Sequence, residues 1–86
     1  MTIDVTASHI TFGVKGCPSL CPVALAASEA FGAPCKVGRR FIGVPTLLGG
    51  KVKKETFIEL PDAIRAWIDE YDEGLEVHPI IFEVTP

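Results

Sequence analysis

This sequence predicts one small α+β domain covering residues 1–86, and three observations lead there. The chain has 86 residues, a length that suits a single hydrophobic core and leaves no room for a second. Its residues are 48% apolar and 22% charged, the balance of a packed globule and not of a disordered tail. Segments of strand character alternate with two segments of helical period, so both kinds of element must share that core.

The first strand is short. Ile3 and Val5 alternate with Thr2, Asp4 and Thr6, which gives one apolar face. Ser8 is placed to cap a brief turn through Phe12 that ends at Gly13. Pro22 to Phe31 then reads as a helix, with Pro at the first helical position, an alanine-rich interior, Gly32 as the stop and Pro34 beyond it. Val23, Ala27, Ala30 and Phe31 share one face. The alanines admit close backbone approach and mark a buried structural helix.

Val37 to Val44 and Lys51 to Leu60 are rich in β-branched and aromatic residues, and Gly49-Gly50 between them suits a tight hairpin turn. With these two glycines as the loop, Arg40 faces Glu59, Ile42 faces Phe57 and Val44 faces Glu55 on one side. Phe41 with Ile58, and Leu47 with Val52, gather on the other. Pro45 must then lie on an edge or at a bulge.

Pro61 to Gly74 is the most clearly marked element. Ile64, Trp67, Ile68 and Tyr71 fall on one helical face. Its last turn carries Asp69, Glu70, Asp72 and Glu73, where the helix dipole disfavours acids by about 0.3–1 kcal/mol each. Compensation is expected from the basic hairpin or from a partner. His78 to Val84 reads as a largely apolar, well-covered last strand. The order strand, helix, strand, strand, helix, strand fits a ferredoxin-like (split βαβ) arrangement. The alternative is a three-stranded antiparallel sheet, made of the hairpin and the last strand, with two flanking helices.

The formal net charge of −3 conceals an asymmetry. Through Lys54 the chain has seven basic residues against Asp4 and Glu29; from Glu55 onward, Arg65 stands alone against nine acids. The two halves either pair across the fold or steer a charged partner. No apolar run approaches the roughly 18 residues of a membrane span, and the start lacks the pattern of a secretory signal. With three cysteines, too few and odd in number for a disulfide scaffold, the expectation is a cytoplasmic protein with reduced thiols.

Chemistry is sparse. Cys17-Pro18-Ser19-Leu20-Cys21-Pro22 offers half of a zinc site, which Cys35 with His9 or His78 would have to complete. The structural reading makes Cys17, Cys21 and Cys35 small apolar groups, with Cys21 at the helix start. A Cys17–Cys21 disulfide is sterically conceivable, although the spacing is not that of a thioredoxin-like motif. His9 and His78 are the only histidines available as a base, and His78 before Pro79 suits a packing role. Leu48-Gly49-Gly50-Lys51 lacks phosphate-loop spacing. No cofactor signature is present, and the expectation is a non-enzymatic protein.

Arg39, Arg40, Lys51, Lys53 and Lys54, interleaved with Phe41 and Phe57, suggest a ribbon able to hold a nucleotide or single-stranded nucleic acid. The net acidity of the chain opposes this. Apolar residues on both hairpin faces favour a protein partner instead, with Arg40, Ile42, Val44, Lys53 and Phe57 as the candidate contact residues. A second copy of the chain is another possible occupant of the hairpin.

Ser8-His9-Ile10, Cys21-Pro22-Val23-Ala24-Leu25-Ala26, Leu60-Pro61, Ala66-Trp67-Ile68, Tyr71-Asp72-Glu73-Gly74 and Pro79-Ile80-Ile81-Phe82-Glu83-Val84 occur together over nearly the whole chain. In combination they resemble a group of small uncharacterised proteins encoded by actinobacterial phages and their hosts' genomes. The resemblance implies a phage or prophage accessory protein of the bacterial cytosol. It brings no activity and no functional residues. Leu47 to Lys51 looks longer than the turns of that group. The expected function is therefore binding of a host protein, through the hairpin face or the acidic end of the second helix.

Overall fold

The computed structural model describes residues 1–86 and contains five strands and three helices. Strand β1 (Thr2–Val5) pairs antiparallel with β5 (Ile80–Glu83), in the register Ile3↔Phe82 and Val5↔Ile80. The alternation of β1 is as expected: Ile3 and Val5 are buried, Thr2 and Asp4 exposed. The pair is closed at its end by the backbone of Met1 and Val84, whose N–H and C=O groups bond reciprocally at 3.1 and 2.9 Å.

Helix α1 (Ala7–Phe12) is capped by Thr6 and not by Ser8. The reason lies in His9. Its Nδ1 accepts the Thr6 N–H at 3.0 Å while the Thr6 hydroxyl accepts the His9 N–H, so imidazole replaces the usual Glu or Gln of a capping box. The other ring nitrogen, Nε2, lies 2.9 Å from the Glu29 carboxylate. The His9 side chain is almost fully buried.

Helix α2 (Pro22–Phe31) has the expected bounds, and Gly32 ends it in the left-handed region at φ 67°. Val23, Ala24, Ala26 and Ala27 are buried against β1 and the rest of the core. Small side chains on that face let the helix lie close to the strand pair. Helix α3 (Asp62–Asp72) buries Ile64, Trp67 and Tyr71, as the helical period requires. The Trp67 indole donates to the His78 carbonyl at 2.9 Å, which anchors the segment leading into β5.

The remaining strands form a second antiparallel sheet in the order β2-β3-β4: β2 (Lys36–Val37), β3 (Phe41–Leu48) and β4 (Lys51–Glu59). The expected strand from Val37 to Val44 is thus interrupted, because the chain turns at Gly38-Arg39-Arg40 and the Gly38 N–H bonds the Phe41 carbonyl at 2.9 Å. The α+β class holds. The ferredoxin-like arrangement does not form, since β1 pairs only with β5 and does not bridge to the hairpin. Nor does β5 join the hairpin; two-residue β2 takes that edge. The two sheets and three helices enclose one core of 17 buried residues.

Candidate functional site: the hairpin arm and the cysteine cleft

Gly49 and Gly50, at φ 61° and 79°, make the two-residue turn joining β3 to β4. Next to the turn the register is the expected one, Leu47↔Val52. Between Thr46 and Leu47 it shifts, because Lys53 is an extra residue in β4 with no partner opposite. From there to the base of the hairpin each pairing is displaced by one: Thr46↔Lys54, Gly43↔Phe57, Ile42↔Ile58 and Phe41↔Glu59.

This bulge decides which residues meet the core. An uninterrupted register would put Ile58 on the face of Phe41 and would oppose Ile42 to Phe57. The displaced one turns Ile42 and Ile58 inward together, where they are 0% and 5% exposed. Phe57 turns outward and is 64% exposed. Its ring lies over Gly43, where an added Cβ would stand 3.5 Å from it, and the Glu55 carboxylate covers the same glycine. The outer face of the hairpin therefore carries an apolar stripe of Phe41, Phe57, Leu47 and Val52.

The five expected contact residues separate accordingly. Arg40, Lys53 and Phe57 are exposed. Val44 is half-buried against the core, and Ile42 belongs to the core itself, so neither contributes to a free surface. The expectation that Ile42, Val44 and Phe57 form one patch is corrected by the bulge, which the pattern of apolar residues alone does not reveal. From Thr46 to Glu55 every residue is exposed, and the molecule measures 40 × 23 × 19 Å. The distal half of the hairpin is an arm without helical cover.

The opposite charges of the two halves do not pair across the fold. The ion pairs are the amino terminus with Glu83 and Arg65 with Asp62, and His9 lies against Glu29. Lys51, Lys53 and Lys54 on the arm have none, and among the acids in the last turn of α3 only Asp72 has a hydrogen-bond partner. Asp72 accepts the Gly16 N–H at 3.0 Å, and Asp69 and Asp72 share a cleft with Arg39 and Arg65.

That cleft has a volume of about 610 Å³ and lies between the Gly16–Cys21 turn, the β2–β3 turn and α3. Both Cys17 and Cys21 line it. The Cys17 thiol is partly exposed, and hydrogen bonds from the Ser19 backbone and hydroxyl, with Leu20, hold its pKa below the ordinary 9.0. Cys21 is the N-cap residue of α2 and is 5% exposed; burial pushes its pKa up. Cys35 is buried elsewhere, its N–H bonded to the Ser28 hydroxyl. With Cys35 apart, His9 engaged by Thr6 and Glu29, and no cluster of three metal-ligating side chains in the molecule, the zinc arrangement of Cys17, Cys21 and Cys35 is not formed. No helix is long and apolar enough to cross a membrane. The chain matches no protein-family model, curated protein or solved structure.

Proposed function

We propose that the protein is a non-enzymatic binding module whose hairpin arm receives an extended, acidic and apolar segment of a protein partner. The observation that carries this reading is the state of β4: nine residues long, it is paired on one side only. A free strand edge is a template for another strand, and main-chain bonds supply affinity while alternate side chains supply selectivity. Unpaired Lys51, Lys53 and Lys54 favour acidic groups on the incoming segment, and the stripe of Phe41, Phe57, Leu47 and Val52 offers apolar area beside them.

The resemblance to actinobacterial phage and prophage proteins supports a host protein as the partner and the bacterial cytoplasm as the place. A pull-down of the full chain from host lysate, followed by titration of the recovered protein, tests this. Substituting Phe57→Ser with Val52→Ser abolishes recovery without altering the unfolding curve, and Lys53→Glu with Lys54→Glu weakens it. Recovery unchanged by both pairs would place the contact elsewhere. A shift to a dimer in light scattering, lost with the same variants, would replace the host protein by a second copy.

A second reading, single-stranded nucleic acid, draws on Phe41 and Phe57 exposed on one face near free lysines. Glu55 and Glu59 stand on that same face and repel a phosphate laid over the rings, whereas a strand added at the β4 edge can meet the lysines near the turn. Affinity falling steeply with salt would favour nucleic acid over protein.

A further inference from the structure

We propose that Cys17 and Cys21 form a dithiol site that exchanges with low-molecular-weight disulfides in the cleft and closes an intramolecular Cys17–Cys21 disulfide. Three features of geometry converge on this. Both cysteines line one cleft of about 610 Å³, within the range of small-molecule sites. The Cys21 N–H bonds the Cys17 carbonyl at 3.0 Å, closing a single helical turn between them. Residues four apart on such a turn have α-carbons about 6 Å apart, within the α-carbon span of a disulfide, and their β-carbons, about 5–6 Å apart there, must draw in to about 4 Å as the bond closes.

The two thiols are also unequal in the way sequential exchange requires. Cys17 is accessible, and donors from Ser19 and Leu20 favour its thiolate. Cys21 is covered, so an external disulfide meets Cys17 first. The Cys17 thiolate attacks one sulfur of the external disulfide, forming a mixed disulfide and expelling one thiolate, which takes a proton from solvent. Cys21 then loses its proton and attacks the Cys17 sulfur, expelling the second thiolate. Two protein thiols are oxidised by two electrons and one external disulfide is reduced to two thiols. Burial raises the pKa of Cys21 and the Ala24 and Val23 N–H groups of α2 offset only part of that rise, so the second step is the slower one.

The site is independent of the proposed arm interface, yet it adjoins the same sheet. The Val37 N–H on β2 bonds the Pro18 carbonyl at 2.8 Å, in the middle of the turn that the disulfide would clamp.

The test is native incubation of the reduced full chain with glutathione disulfide, acid quenching, alkylation and peptide mapping by mass. The wild-type chain and Cys35→Ala are expected to yield linked Cys17 and Cys21 peptides. Cys21→Ala is expected to stop with glutathione on Cys17, and Cys17→Ala to react at least about tenfold more slowly, since its remaining thiols are buried. Glutathione remaining on wild-type Cys17 with Cys21 free overturns the proposal, as does a bond to Cys35 or undiminished reaction of Cys17→Ala. Should Cys21→Ala lose its fold by circular dichroism, Cys21→Ser replaces it, and the wild-type peptide map decides alone whether the bond forms.

Discussion

The Tyr71 hydroxyl on α3 donates to the Gly13 carbonyl at 2.9 Å, across 58 residues of sequence. The same oxygen lies 3.2 Å from the Ile10 carbonyl, so one phenol meets two carbonyls at the C-terminal end of α1. Trp67 stacks parallel to the Tyr71 ring at 5.9 Å and holds it in place. Tyr71→Phe keeps the stacked ring and leaves both carbonyls without this donor. A loss of about 1–2 kcal/mol is expected, read as a lower urea midpoint with an unchanged slope.

The bulge at Lys53 predicts opposite outcomes for two apolar residues of the hairpin. Ile42→Ser removes a fully buried side chain and adds a hydroxyl to the core. The cavity costs about 2–5 kcal/mol and the stranded hydroxyl about 1–3 kcal/mol more, enough to unfold a domain with only about 5–15 kcal/mol in hand. Phe57→Ser changes a residue 64% exposed, and less than about 1 kcal/mol is expected. Parallel denaturant titrations check the pair. Equal losses would mean that the uninterrupted register is the one adopted.

The sequence showed α2 and α3 clearly because propensity, termini and packing face agree there: Pro22 and Gly32 bracket an alanine-rich run, and Ile64, Trp67 and Tyr71 repeat at helical spacing. The Gly49-Gly50 turn was legible for a similar reason, since two successive positive φ values suit glycine. Pairing between distant segments was not. Whether β1 joins β5 alone depends on how α2 packs, and no local pattern encodes that. The bulge escaped because Ile42 and Phe57 are equally apolar, so only the sheet's contact with the core tells inward from outward. Cys17-Pro18-Ser19-Leu20-Cys21 stood out as a string, but its cleft needs Arg39, Arg65 and Asp72 from distant segments.

Gly43 offers a test of how the outer face is covered. Its backbone φ is not positive, so alanine meets no conformational penalty there. An added Cβ would overlap the Glu55 carboxylate, the far end of a flexible side chain that must swing aside, and stand in ordinary contact with the Phe57 ring. Gly43→Ala is therefore expected to stabilise the hairpin by about 0.4–1 kcal/mol through the unfolded chain, read as a raised thermal midpoint. A drop of similar size would show that Glu55 cannot yield.

Alkaline pH sets the thiols against the fold. Burial raises the pKa of Cys21 and Cys35 above 9.0, and burial with nearby Cys21 and Asp72 raises that of Tyr71 above 10.0. In the unfolded chain these groups ionise near their ordinary values while the folded chain keeps its protons. Their contribution to stability is complete below pH 9 and lost as the pH rises toward the folded-state values. Cys17 works in the opposite sense: its lowered pKa favours the fold at alkaline pH and that contribution fades as pH falls through the folded value. Three buried groups outweigh one partly exposed thiol, so the urea midpoint is expected to fall between pH 9 and 11. Cys35→Ala should flatten the first part of that decline and Tyr71→Phe the part above pH 10, each compared with its own midpoint at pH 7. A decline as steep in both variants as in the parent would assign the alkaline loss to the lysines and not to these buried groups.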